Sequence, residues 1–294
     1  MIVEKRAKRS QLQTIEINRK IDVKVNHLYQ SYTKMKLVIE ESKTAEQLNV
    51  LFSNLCWLSD YVTIHKEEEG LHMQGMDSSH VCMFDVKLTI GWFTIYEEDE
   101  DDISMITVPA KIFNKVLSTY NKDQNIVIDI DPSGDKLNME FTSGKTSCDK
   151  YFEIPLVHLD QELMNIPTEE SQADICITSK KLTDLVSQFE IFDRVLTFNL
   201  SEEKVLMKAA GDEGSMTAKL SLEDEQLLDY CIEEDLELNV SFGLNYVKRM
   251  TGFNKVANDV TLSLSKDRPM FMIYDLGKES ELRLVLAPKI DEDD

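Results

Sequence analysis

Paired cysteines, clustered histidines and glycine-rich loops are what this sequence lacks. Its five cysteines (56, 82, 148, 176 and 231) are odd in number and scattered, with no Cys-x-x-Cys pair. That pattern excludes a disulfide framework and reads as reduced, intracellular thiols. The five histidines (27, 65, 72, 80 and 158) have no His-Glu-x-x-His or regular ligand spacing. Neither a phosphate-cradling glycine loop nor Gly-x-Ser-x-Gly occurs, so nucleotide-binding and serine-hydrolase signatures are missing too. No run approaches the roughly 18 apolar residues that a membrane-spanning helix needs. The opening charges, Glu4, Lys5 and Arg6, do not lead into the apolar core of a secretory signal.

What is present is a folded-protein composition with a lopsided charge. Of 294 residues, 42% are apolar, enough for two domains with their own cores. Net charge is −22. Residues 1–36 hold nine Lys/Arg and three Asp/Glu, or +6, leaving the remainder at −28. So acidic a body repels a polyanion unless one surface is locally basic, because salt screens charges beyond about 8 Å.

Periodicity divides the rest. Residues 1–34 are basic and irregular and read as a flexible extension. From Met35 a short strand precedes a helix at 44–55 carrying Leu48, Leu51, Phe52 and Leu55 at helical spacing. Strand-like runs follow at 61–65, 71–74, 80–88 and 104–108. A second helix at 110–120 places Ile112, Phe113, Val116, Leu117 and Tyr120 on its apolar face, and runs at 126–130, 137–142 and 151–154 close the half. The second half repeats this order, with helices at 180–192 and 244–252. The fold predicted is α+β, two tandem copies of a β-α-β-β-β-α-β-β-β unit. The boundaries read as 1–34 for the extension, 35–156 and 173–294 for the two domains, and 157–172 for the connecting loop.

Three segments lie in order along the chain: Met76-Asp77-Ser78-Ser79-His80-Val81, the run Leu159 to Pro167 (LDQELMNIP), and Leu286-Ala287-Pro288-Lys289-Ile290 before an acidic end. Together they resemble the eukaryotic sliding DNA clamp family, proliferating cell nuclear antigen, over residues 35–294. The resemblance implies a non-enzymatic ring of three copies around duplex DNA, sheets outside and helices inside. It would need no cofactor or metal. It would hold DNA polymerase and other replication and repair clients by short docking motifs, be opened by an ATP-dependent loader, and act in the nucleus or at a viral replication site.

Carried onto this chain, the resemblance turns Lys43, Lys111, Lys115, Lys122, Lys180, Lys181, Lys248, Arg249 and Lys255 toward DNA phosphates, where mobile point charges hold without reading bases. The client groove maps to Met76, His80, Met83, Met164, Ile166, Pro167, Pro269, Ala287 and Pro288. The seam between copies maps to Cys148, Tyr151, Phe152 and Ile154 on one edge and to Ser215, Thr217 and Lys219 on the other. Departures are visible as well. Asp184, Ser187 and Asn245 stand where the family places basic residues, no Lys or Arg lies between Thr44 and Leu55, and Leu284-Val285 replace aromatic residues before Leu-Ala-Pro.

Two chemical readings compete and lose. Asp129, Asp131, Ser133, Gly134 and Glu140 have calcium-loop spacing, but Pro132 interrupts them and strand-like runs flank them, so a hairpin turn is expected. A metal-dependent hydrolase would need two carboxylates and a base brought together, and no motif does that. A clamp-like scaffold for transcription or checkpoint factors, without autonomous sliding, is the alternative that keeps the fold.

Overall fold

The computed structural model describes residues 35–98, 104–131, 134–143, 148–159, 161–166 and 169–289. The basic extension, Pro132, Ser133, Pro167 and the acidic end at 291–294 lie outside the described residues.

In the first half, β1 (Met35–Ile39) enters α1 (Ser42–Leu58). Then come β2 (Tyr61–Glu67), β3 (Gly70–Met76), β4 (Cys82–Thr89), β5 (Ile95–Glu98) and β6 (Met105–Pro109). Helix α2 (Ala110–Leu117) precedes β7 (Asn125–Ile130), β8 (Lys136–Thr142) and β9 (Lys150–Pro155). The second half runs β10 (Ala173–Thr178), α3 (Ser179–Phe189), β11 (Val195–Ser201), β12 (Lys204–Gly211), β13 (Gly214–Leu220), β14 (Leu227–Ile232) and β15 (Leu238–Gly243). It ends with α4 (Leu244–Met250), β16 (Asp259–Leu264), β17 (Met270–Gly277) and β18 (Ser280–Leu286).

The halves are copies with nearly constant spacing. The starts of β2 and β11, α2 and α4, and β7 and β16 are each 134 apart (195 − 61, 244 − 110, 259 − 125). Sheet order repeats too. The first half's five-stranded sheet, β5-β1-β7-β8-β9, has its counterpart in β14-β10-β16-β17-β18. The other sheet of each half runs β4-β3-β2-β6 and β13-β12-β11-β15. Pairing of β18 with β4 fuses two of these four sheets into a single nine-stranded sheet across the molecule.

The predicted repeat is there, with strands added. Each unit has five strands between its helices, where the predicted unit has three and the apolar runs suggest four. The additional ones, β5 and β14, occupy the same place in the repeat, each pairing on one side only, to β1 and β10. One-sided pairing leaves much of β14 in solvent, so it needs no apolar alternation and escapes periodicity.

Helical spacing explains the core. Leu48, Leu51, Phe52 and Leu55 of α1, and Leu182, Leu185, Val186 and Phe189 of α3, face the sheets. Strands β7, β8 and β11 alternate buried and half-buried residues, as sheets covered on one face require. Ile112 departs from expectation. It is 44% exposed, while Ala110, Phe113, Val116 and Leu117 form the buried face. The second helix of each half also ends sooner than predicted. The predicted calcium-like segment is a hairpin between β7 and β8, with Gly134 at φ +78°.

Candidate nucleic-acid and partner interfaces

Helices α1 and α2 pack together, as do α3 and α4, and Asn54 of α1 donates to the Gly252 carbonyl beyond α4 at 3.2 Å. All nine predicted DNA-facing cations lie on or beside these helices, but few are free. Lys111 pairs with Asp60 at 2.6 Å, Lys122 with Glu46 at 2.5 Å, Lys180 with Asp184 at 2.6 Å and Lys181 with Asp224 at 3.4 Å. Lys248 pairs with Glu190, and Arg249 sits 5.1 Å from the Trp57 ring centroid. Lys43, Lys115 and Lys255 are exposed. Exposed pairs contribute only about 0–1 kcal/mol each, so a phosphate can displace the carboxylates. The carboxylates nonetheless cancel much of the face's charge.

The MDSSHV segment is a loop held by one carboxylate. Asp77 accepts the backbone N–H groups of Ser79, Val81 and Cys82 at 3.0, 2.8 and 2.7 Å, and the Tyr246 hydroxyl at 3.3 Å. Burial opposes ionisation, but these four donors outweigh it and hold the Asp77 carboxyl below its ordinary range. His80 follows at φ +57°, exposed. Upstream, a side chain on Gly75 would lie 2.5 Å from the Phe84 ring.

Under the connecting loop lies a buried polar row that the sequence reading missed. Gln74 Nε2 donates to the Met164 carbonyl at 3.3 Å, and its Oε1 accepts the Met164 N–H at 2.7 Å. The same amide donates to Asp85 at 2.9 Å. His72 sits between Asp85 (2.5 Å) and Glu67 (2.9 Å). Burial alone would lower His72, but hydrogen bonds and charge from Asp85 and Glu67 raise its pKa. Burial likewise works against Asp85, and His72 and Gln74 overcome it to lower that carboxyl.

The predicted client groove is only partly assembled as a cavity. Met76 pairs with Met83 across β3–β4, Met83 with Val285, and the Ala287 N–H reaches the Val81 carbonyl at 3.0 Å. Met164 is fixed by Gln74, and Ile166 is half-buried. A cleft of about 460 Å³ opens beside these residues, lined by Pro269, Phe271, Ile273, Val285, Arg268 and Arg283 among others. Of the predicted groove residues that are described, only Pro269 lines it. Phe271 and Ile273 were legible as apolar residues on the outward face of a strand whose inward face is Met270, Met272 and Tyr274. Arg268 bonds Glu169 at 2.7 Å and the Glu170 carbonyl at 3.2 Å, tying the loop's far end to the cleft.

The seam residues lie on strands that pair on one side only. β9 pairs with β8, and β13 with β12, each at a sheet edge. Tyr151 is 66% exposed, and Cys148, Ser215, Thr217 and Lys219 are exposed. Phe152 packs on Phe141 at 5.4 Å between centroids, while Ile154 is buried in the core.

The family model described as Rad9 matches residues 48–288, spanning both halves. The chain belongs to the Rad9 family. It is 28% identical over 257 residues to a DNA polymerase sliding clamp of Thermococcus gammatolerans, covering 87% of this chain and 99% of that protein. It is also 28% identical over 232 residues to proliferating cell nuclear antigen 2 of Drosophila melanogaster, covering 79% and 89%. The crystal structure of PCNA from Thermococcus kodakaraensis matches 87% of this chain and all of that chain, with a TM-score of 0.78 at 20% identity. The fold of this Rad9-family chain is therefore that of the PCNA-like sliding clamps. Within it, Val285 and the arginines give the outer cleft a mixed apolar and charged lining.

Proposed function

We propose that this chain is a non-catalytic DNA polymerase processivity clamp. Three copies join head to tail, with residues 35–156 and 173–294 as the two domains of each. The ring encircles duplex DNA and tethers polymerase and other clients through short peptides docked beneath the connecting loop. An ATP-dependent loader opens it, and its place of action is the nucleus or a viral replication site.

One observation carries this reading. The junction between the halves is a β18–β4 pairing, and the counterparts of those strands, β9 and β13, each have an open edge. Repeating the internal junction between copies pairs β9 with the next copy's β13. Phe152 corresponds to Leu284, since each faces a methionine of the preceding strand, Met139 or Met272. Met216 corresponds to Phe84, since each lies two residues before the partner of the equivalent methionine of the preceding strand, Met207 or Met73. The junction's register then sets Phe152 opposite Met216 and Tyr151 opposite Thr217. An edge-to-edge contact of this heterologous kind must close into a ring or run on as a filament.

A ring makes processivity topological, so weak non-specific phosphate contact suffices. A second reading, a scaffold subunit in a mixed ring, draws support from the ion-paired cations of the helical face. Particle mass at micromolar concentration separates the two. About three times 33.8 kDa supports the self-ring, whereas a stable monomer supports the scaffold.

A further inference from the structure

The cleft of about 460 Å³ at the far end of the connecting loop is not the groove that the three motifs outline, since among the described residues only Pro269 is common to both. Its floor is two cross-strand pairs, Phe271 opposite Val285 and Ile273 opposite Arg283. Phe271 and Ile273 are half-buried, an apolar surface at the bottom of a recess of small-ligand size. Val285 replaces an aromatic residue of the clamp family, and its small side chain keeps the space open.

Charge gives the recess a second character. The chain carries −22, yet two of its four described arginines, Arg268 and Arg283, line this one cleft. Each guanidinium offers five N–H donors. Arg283 pairs with Glu281 at 2.7 Å, and its Nε–H is buried with no hydrogen-bond partner among the described residues. A buried donor without an acceptor is costly, so a ligand that supplies one gains by it. Arg268 is held by Glu169 of the connecting loop at 2.7 Å, but that carboxylate is 75% exposed and the pair is weak.

We propose that this cleft is a second docking slot, filled by a client peptide that carries an aromatic side chain with a carboxylate beside it. The aromatic ring covers Phe271 and Ile273, and the carboxylate accepts from the guanidinium edge of Arg283. Arg268 adds attraction across the same cleft, and Glu169 partly cancels it. A peptide with a neutral or basic residue beside its ring gains neither effect, so the two arginines select among clients. The inference rests on the proposed tethering of clients beneath the connecting loop and deepens it by naming their chemistry.

The test is methyl NMR of the full chain, labelled at isoleucine, valine and methionine and titrated with the peptide acetyl-Gly-Ser-Phe-Glu-Ser-Gly-amide. Two control peptides carry Gln or Lys in place of the Glu. Shifts of the Ile273 and Val285 methyls give a dissociation constant for each. The Glu peptide is expected to bind about tenfold tighter than the Gln peptide, with the Lys peptide weakest. Arg283→Gln should bring the Glu and Gln peptides within about twofold of each other. Glu169→Gln, a change on an exposed side chain that leaves the fold intact, should tighten the Glu peptide by about twofold. Equal affinities for wild type, or a preference that survives Arg283→Gln, would overturn the assignment. Shifts confined to the Met76 and Met83 methyls would refute the slot and leave clients in the predicted groove, and no shift at Ile273 and Val285 refutes it outright. The self-ring is judged separately, by particle mass.

Discussion

The Tyr246 hydroxyl, on a helix of the second half, donates to the Asp77 carboxylate in a loop of the first half at 3.3 Å. That carboxylate also organises the loop's own N–H groups, so one side chain both shapes the MDSSHV turn and joins the halves. Removing the cross-link alone, by Tyr246→Phe, is expected to cost about 1 kcal/mol. Asp77→Ala leaves three backbone donors without their acceptor and is expected to cost roughly 2 to 3 kcal/mol. Urea unfolding of the two variants measures the difference, and equal costs would contradict a loop-organising role for Asp77.

Gln74 fastens the connecting loop through both backbone groups of Met164. Gln74→Ala is predicted to speed amide exchange at the Met164 N–H at least tenfold, with β3 and β4 unchanged. Hydrogen exchange followed by peptide mapping reads this directly. Unaltered exchange would mean that the loop is held by other contacts.

The His72–Asp85 pair fixes a pH dependence. His72 titrates above its ordinary 6.5, so its stabilisation is complete below pH 6.5 and is lost as pH rises through the elevated value. Asp85 titrates below its ordinary 3.8, so its share disappears only as pH falls through that depressed value. Replacing His72 by Phe leaves a buried carboxylate unpaired and is expected to cost about 3 kcal/mol near pH 5.5. The gap between wild type and variant should narrow as pH rises through the elevated His72 value, and a gap independent of pH would refute the pairing.

Carboxylates that hold the helical lysines should restrain DNA contact. Glu46→Gln and Asp184→Asn each release a lysine, Lys122 and Lys180. Each is expected to raise non-specific duplex affinity on the order of twofold to fivefold and to steepen its salt dependence. Binding titrations at two salt concentrations decide this, and no change would place those lysines away from DNA.

Much of this architecture was legible in the residues. Leu48, Leu51, Phe52 and Leu55 announced a helix, and the same spacing 134 positions later announced its copy. Three collinear motifs pointed to the clamp fold. Edge strands were harder, because a strand paired on one side need not alternate, and β5 and β14 were missed for that reason. The Gln74–His72–Asp85 row was invisible because its members are polar residues on an outward sheet face, where polarity ordinarily signals solvent. Ile112 and Ile191 looked like helix core and helix end, and only burial revealed them as bare surface. Apart from Asp184, four residues after Lys180, the lysines' partners are distant in sequence, as with Lys111 and Asp60 or Lys248 and Glu190, so spacing gave no sign of them.

The most direct test of the ring is a covalent seam. Tyr151→Cys with Thr217→Cys, in a chain with Cys148→Ser, places one thiol on each edge at positions set opposite by the internal register. Crosslinking is predicted to give a species of three joined chains that stays on closed circular DNA through high salt and slips off once that DNA is cut. Crosslinked products that stop at two chains, or equal retention on circular and linear DNA, would contradict an encircling clamp.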